Sequence, residues 1–156
     1  MLNKSEKTVL YLSTCSFISY KKQMAIIENV DLNNLFNDYD MFVSQISKYI
    51  DNKELDKFKE DYEEYKLNAY INNLEKSNIS VITILSDSYP ILLKEIDTPP
   101  VVLYAKGDIE LLNSTCLAIV GSRRASRYGK DVTEQFSSAI AKCGVTIVSG
   151  LADGID

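Results

Sequence analysis

Leu117-Ala118-Ile119-Val120-Gly121-Ser122-Arg123-Arg124-Ala125-Ser126-Arg127-Tyr128-Gly129 is an apolar strand that empties into a small-residue turn, and the turn holds all three arginines of the chain. A second apolar run, Val145-Thr146-Ile147-Val148-Ser149, breaks in the same way into Gly150-Leu151-Ala152-Asp153-Gly154-Ile155-Asp156. Between them, Val132, Phe136, Ala139, Ile140 and Cys143 recur at helical spacing over Arg127 to Lys142, and Gly144 supplies the stop. The pattern predicts one strand-helix-strand unit with strand Thr115–Val120 first and two glycine-bearing turns side by side.

Parallel strands joined by a helix bring both strand ends to one edge of the sheet, and ligands of open α/β sheets sit in the crevice outside those carboxyl ends. Gly121 and Ser122 let the backbone approach a ligand. The helix that follows directs unpaired N–H groups and its positive dipole end toward it. Arg123 adds a planar fork that matches phosphate oxygens in pairs. The turn reads as a phosphate seat. Arg124 and Arg127 read either as further anion contacts or as solvated cations at a helix start, where they oppose the dipole. Ser126 reads as an N-cap or a ligand group. Asp153 and Asp156 lack any partner for acid–base chemistry and read as helix caps.

Several ligands are excluded by pattern. The first turn has no G-x-G-x-x-G, and the second strand ends in Ser149-Gly150 where a dinucleotide site places an acid for the ribose, so NAD is disfavoured. No G-x-x-x-x-G-K-[ST] supports a P-loop hydrolase. With no histidine and three isolated cysteines, no zinc set is available. No catalytic residue, metal or cofactor is assigned.

At 156 residues, with 46% hydrophobic and 25% charged content, the chain can bury a core and is globular in composition. Residues 1–78 carry ten Lys+Arg against thirteen Asp+Glu, and residues 79–156 carry seven against nine. Both halves are acidic, which argues against the broad basic face of a duplex-DNA binder and leaves nucleic-acid contact to a local cluster such as Arg123, Arg124 and Arg127. No segment reaches the roughly 18 apolar residues of a membrane helix, and no leader is visible, so a cytoplasmic protein with no membrane partner is expected. Cys15, Cys116 and Cys143 show no C-x-x-C pairing, which fits a reducing compartment, and Cys116 and Cys143 read as buried thiols.

Residues 4–20 and 21–30 read as two helices, followed by a short element at Asp31–Phe36 and a helix over Asp38–Tyr49, with Asp31 and Asp38 as N-caps. A long charged helix is predicted from Lys53 to Ser77, its stripe of Leu55, Phe58, Tyr62, Tyr65 and Ala69 packing on the bundle or forming a dimer seam. Helical periodicity yields to strand alternation in Ile79-Ser80-Val81-Ile82-Thr83-Ile84, which sets a domain boundary at 78/79. Tyr89-Pro90 opens a short helix through Lys94, and Pro99-Pro100 forces an extended entry to the strand Val101–Ala105. Tyr89 and Tyr104 read either as base-stacking rings or as packed rings with bonded hydroxyls.

Four separated blocks then carry a resemblance: Ser88-Tyr89-Pro90 with Leu93, Ile96, Pro99-Pro100, Leu103-Tyr104 and Gly107; Ile119-Val120-Gly121-Ser122-Arg123; Tyr128-Gly129; and Val148-Ser149-Gly150-Leu151-Ala152 with Gly154-Ile155-Asp156. Over Ile79 to Asp156 the chain resembles the DNA processing protein DprA (Smf) family. The resemblance implies a bacterial cytosolic protein without catalytic activity. It would bind and protect single-stranded DNA entering by natural transformation and load the RecA recombinase for homologous recombination, working as a homodimer. The fold implied is α/β: a SAM-like helical domain over residues 1–78, then over 79–156 the first part of an extended Rossmann-like, doubly wound domain. The chain would end where the family's next helix begins, with the dimer and RecA surfaces beyond Asp156.

Carried over by position, Gly121, Ser122 and Arg123 form the phosphate-gripping turn, Arg124 adjoins it, and the backbone from Gly150 to Gly154 lines the same pocket. Asp153 stands where the family usually has arginine, and an acid there weakens a positive pocket. Some relatives place a glycine-rich hairpin between the first two helices. The matching Cys15-Ser16-Phe17-Ile18-Ser19-Tyr20-Lys21-Lys22 has no glycine for close phosphate approach, which leaves Lys21 and Lys22 as a solvated helix start. The alternative is a nucleotide-processing or nucleotide-sensing Rossmann protein of the lysine-decarboxylase-like group, whose Pro-Gly-Gly-x-Gly-Thr block would follow the second strand.

Overall fold

Asn3 starts the first helix, α1 (Lys4–Thr14), through a reciprocal cap: its side chain accepts from the Glu6 N–H at 2.9 Å, and the Glu6 carboxylate accepts from the Asn3 N–H at 2.9 Å. The helix stops at Thr14, short of the predicted Tyr20. The Ser13 and Thr14 hydroxyls both donate back to carbonyls one turn earlier, Leu10 and Tyr11, at 2.7 Å and offer the backbone an alternative to continuing. The loop that follows is held by the buried Gln23 amide, which donates to the Ile18 carbonyl at 3.0 Å. Next come α2 (Tyr20–Asn29), α3 (Asn34–Asn37) and α4 (Tyr39–Ile46), the last capped by Asp38 as expected. Asp31 instead folds an Asx turn onto the Asn33 N–H. This computed structural model describes residues 2–156 as a mixed α/β chain in which helices precede short strands.

The predicted long helix is two helices, α5 (Asn52–Asp61) and α6 (Glu64–Lys76), with Tyr62 and Glu63 extended between them. The break is held by an aromatic cluster. The Tyr62 ring meets Tyr11 edge-on at 5.1 Å and stacks on Tyr39 at 5.2 Å, and burial pushes its phenol up to about 12. Glu63 and Glu64, at the N-cap and first position of α6, suit the positive dipole end of a new helix and favour a start there. In consequence the expected stripe divides: Phe58 is fully buried whereas Tyr65 is 68% exposed. Lys22 is not a free cation, since its ammonium sits 2.6 Å from Glu54 at the start of α5, a bond that raises its pKa.

Asn78, with φ 54°, ends α6: the Ile79 N–H reaches back to the Leu74 carbonyl and the Asn78 N–H to that of Glu75, both at 2.9 Å. The chain then enters β1 (Ser80–Thr83), antiparallel to β2 (Val102–Ala105) with Ile82 opposite Leu103. The connection contains α7 (Ile91–Lys94) and is fixed by buried Tyr89, whose hydroxyl donates to the Pro100 carbonyl at 2.7 Å. Tyr89 is therefore a packing residue. Tyr104 is half exposed and shares a 3.1 Å hydrogen bond with the Tyr70 hydroxyl. Helix gives way to strand beside the 78/79 boundary, yet Val81, Ile84 and Val102 pack on the helical core, and the compact unit runs to Ile109.

The second compact unit, Glu110–Asp156, holds β3 (Cys116–Ala118), α8 (Arg127–Lys142) and β4 (Thr146–Val148) after a 3-10 turn at Ile109–Asn113. The strands are parallel with Leu117 opposite Ile147, and flanking bonds from Thr146 N–H to Thr115 and from Ile119 N–H to Val148 lengthen the pairing. Gly144, at φ 81°, turns the chain out of α8. No residue of this unit is buried. Cys116 and Cys143 are accordingly exposed rather than buried, because one helix against a two-stranded pair covers only one side of each element.

Candidate functional site

The two glycine-bearing turns lie at the carboxyl ends of β3 and β4 and interlock. A side chain at Gly121 would place its Cβ 2.7 Å from Ile155 Cβ, and at Gly154, which has φ 105°, it would overlap the Ser122 carbonyl oxygen. Ile155 thus seats against Gly121, its methyl also reaching 3.5 Å from the Cβ position of Gly129, and its N–H donates to the Ser122 carbonyl at 3.3 Å. These glycines are needed for one turn to pack on the other, a tighter constraint than ligand approach.

Side-chain to backbone bonds set the local shape. Ser122 Oγ accepts from the Arg124 N–H at 3.1 Å and folds the turn at Arg123-Arg124. Ser126 is the N-cap, its Oγ accepting from the Gly129 N–H at 3.1 Å. Ser149 Oγ accepts from the Leu151 N–H at 3.1 Å and donates to the Asp156 carbonyl at 2.8 Å. Leu151, 91% exposed, is held at φ 53°, a left-handed conformation that costs a non-glycine residue energy.

Asp156 ties the second turn to the first. Its Oδ1 accepts from the Gly121 N–H at 2.9 Å, and its Oδ2 lies 3.2 Å from where a Cβ on Gly150 would stand. The first N–H of the predicted seat is therefore already bonded to a carboxylate. The N–H groups of Ser122 and Arg123 have no protein acceptor among the described residues. The Arg123, Arg124 and Arg127 side chains are exposed and form no ion pair or hydrogen bond among the described residues. Asp153 is exposed. Gly121, Ser122, Gly150 and Gly154 are brought together with the start of Arg123, which leaves its guanidinium outside the interlock.

Ile155 and Asp156 were missed by sequence reasoning as parts of this arrangement. The one signal for Ile155 is a β-branched apolar residue next to a glycine in that turn. Nothing in the sequence separates Asp156 as a partner for Gly121 from Asp156 as a cap.

Chemically, the turn offers two backbone donors without a protein acceptor among the described residues and an exposed, unpaired arginine side chain, groups that suit an anion. Comparison with known proteins bears on which anion. The family model of DNA recombination-mediator protein A matches residues 80–156. The DNA processing protein DprA of Bacillus subtilis is 44% identical over 92 residues, 58% of this chain and 31% of that protein. Protein Smf of Borreliella burgdorferi is 31% identical over 153 residues, 95% of this chain and 46% of that protein. The X-ray structure of DNA processing protein A from Streptococcus pneumoniae superposes with a TM-score of 0.70 at 26% identity, covering 96% of this chain and 50% of that one. The chain spans less than half the length of these curated relatives. With sequence blocks, matched residues and backbone in agreement, the chain belongs to the DprA/Smf family of DNA recombination-mediator proteins.

Proposed function

We propose that this chain binds single-stranded DNA by its phosphate backbone at Gly121, Ser122 and Arg123, with Arg124, Gly150 and Gly154 along the same crevice. The protein that carries it would act in the cytoplasm, in natural transformation, protecting incoming strands and loading RecA as a homodimer. On this reading residues 1–78 are a SAM-like helical domain and residues 79–156 the first portion of a Rossmann-like DNA-binding domain.

The observation that carries the reading is an exposed, unpaired Arg123 side chain on the same turn as the open Ser122 and Arg123 N–H groups, at a strand end where Gly121 already holds a carboxylate. With a formal net charge of −5, attraction to DNA must come from such a local cluster. A phosphate contact positions the strand without reading bases, so binding should be independent of sequence.

The test is competition. A long single strand should displace a labelled oligothymidylate from the full-length protein far better than any mononucleotide, with no nucleotide consumed. Hydrolysis of a mononucleotide in an Arg123-dependent way, without binding to single strands, would replace this reading with the nucleotide-processing one.

A further inference from the structure

We infer that the Asp156 carboxylate is a built-in competitor for phosphate at the Gly121 turn, an internal anion that weakens the grip of this site on a DNA strand. The inference rests on the phosphate-turn function proposed above. Asp156 is fixed at two points: its Oδ1 accepts from the Gly121 N–H at 2.9 Å, and its backbone carbonyl accepts from Ser149 at 2.8 Å. The second carboxylate oxygen packs beside Gly150, where any side chain would press on it. No cation neutralises it among the described residues, although three arginines lie on the adjoining turn and helix start.

The consequence is electrostatic. The open Ser122 N–H is one residue from Gly121, about 3.8 Å along the chain from Cα to Cα. A phosphate oxygen seated there shares the crevice with a fixed negative charge, and at that range in a partly screened site like charges repel appreciably. Either the phosphate stays on the outer donors, Ser122 N–H and Arg123, or Asp156 swings away and gives up its charge-assisted bond. Both routes lower affinity. An asparagine would accept the same hydrogen bond without the charge, which separates the geometric role of this residue from its electrostatic one.

The experiment compares wild type, Asp156→Asn, Arg123→Ala and the double variant of the full-length protein. It reads binding of a labelled oligothymidylate at about 0.15 M salt together with thermal stability. Asp156→Asn should bind about threefold tighter or more with its melting temperature little changed. Unchanged or weaker binding by a stably folded Asp156→Asn overturns the inference. If Asp156→Asn fails to fold, Asp156→Ser is read in its place, and failure of both assigns the carboxylate a purely structural role and overturns it as well. The two readings fail separately. Wild-type binding by Arg123→Ala removes the phosphate turn itself, whereas weaker binding by Arg123→Ala without a gain in Asp156→Asn removes only the role of Asp156.

Discussion

Leu10, Phe42 and Phe58 are completely enclosed in the unit that ends at Ile109, whereas in Glu110–Asp156 no side chain is enclosed and Phe136 on α8 is 63% exposed. The first unit is held by apolar burial and an aromatic cluster. The second is shaped by local devices: a Ser126 cap, side-chain bonds from Ser122 and Ser149, and glycines that let one turn seat on another. Within Glu110–Asp156 the turns of the candidate site are set by side-chain hydrogen bonds and close glycine contacts. Damage to one region should leave the other readable.

The largest expected effect follows from enclosure. In the 156-residue chain, Phe58→Ala should cost about 3–5 kcal/mol in denaturant unfolding, whereas Phe136→Ala should stay within about 0.5 kcal/mol. Equal losses would mean that α8 shares the burial of the helical unit, and the contrast would collapse.

A smaller, more local effect is expected at the interlock. Gly154→Ala puts a methyl group onto the Ser122 carbonyl at a φ of 105°, so it should lower the hydrogen-exchange protection of the Gly121 and Ile155 amides about tenfold or more. Amides of α1 should keep theirs. Unchanged protection at Gly121 would show that the turns do not depend on each other.

The same contrast explains what could be read in advance. In the second unit the information is local: α8 spans Arg127–Lys142 as its periodicity predicts, and Gly144 ends it. In the first unit it is partly tertiary. The break at Tyr62 depends on Tyr11 and Tyr39, distant in sequence, and a one-dimensional stripe running through Tyr62 cannot register that. The strand β1 shows the same limit, because alternation locates it but not the helices it packs on. At the site, the motif marked Gly121, Ser122 and Arg123, while the tie from Asp156 to Gly121 crosses thirty-five positions and leaves no local trace. Exposure of Cys116 and Cys143 was hidden for a related reason, since an apolar run reads alike whether or not a second layer covers it.

Whether Arg123 grips the DNA backbone is read from the salt dependence of single-strand binding by the full-length protein and its Arg123→Ala variant. If Arg123 grips one phosphate, the variant should bind every sequence more weakly. The slope of log affinity against log salt should become shallower by about 0.7, the share of one released counterion on a single strand. An unchanged slope with unchanged affinity would contradict the claim that this turn holds the DNA backbone.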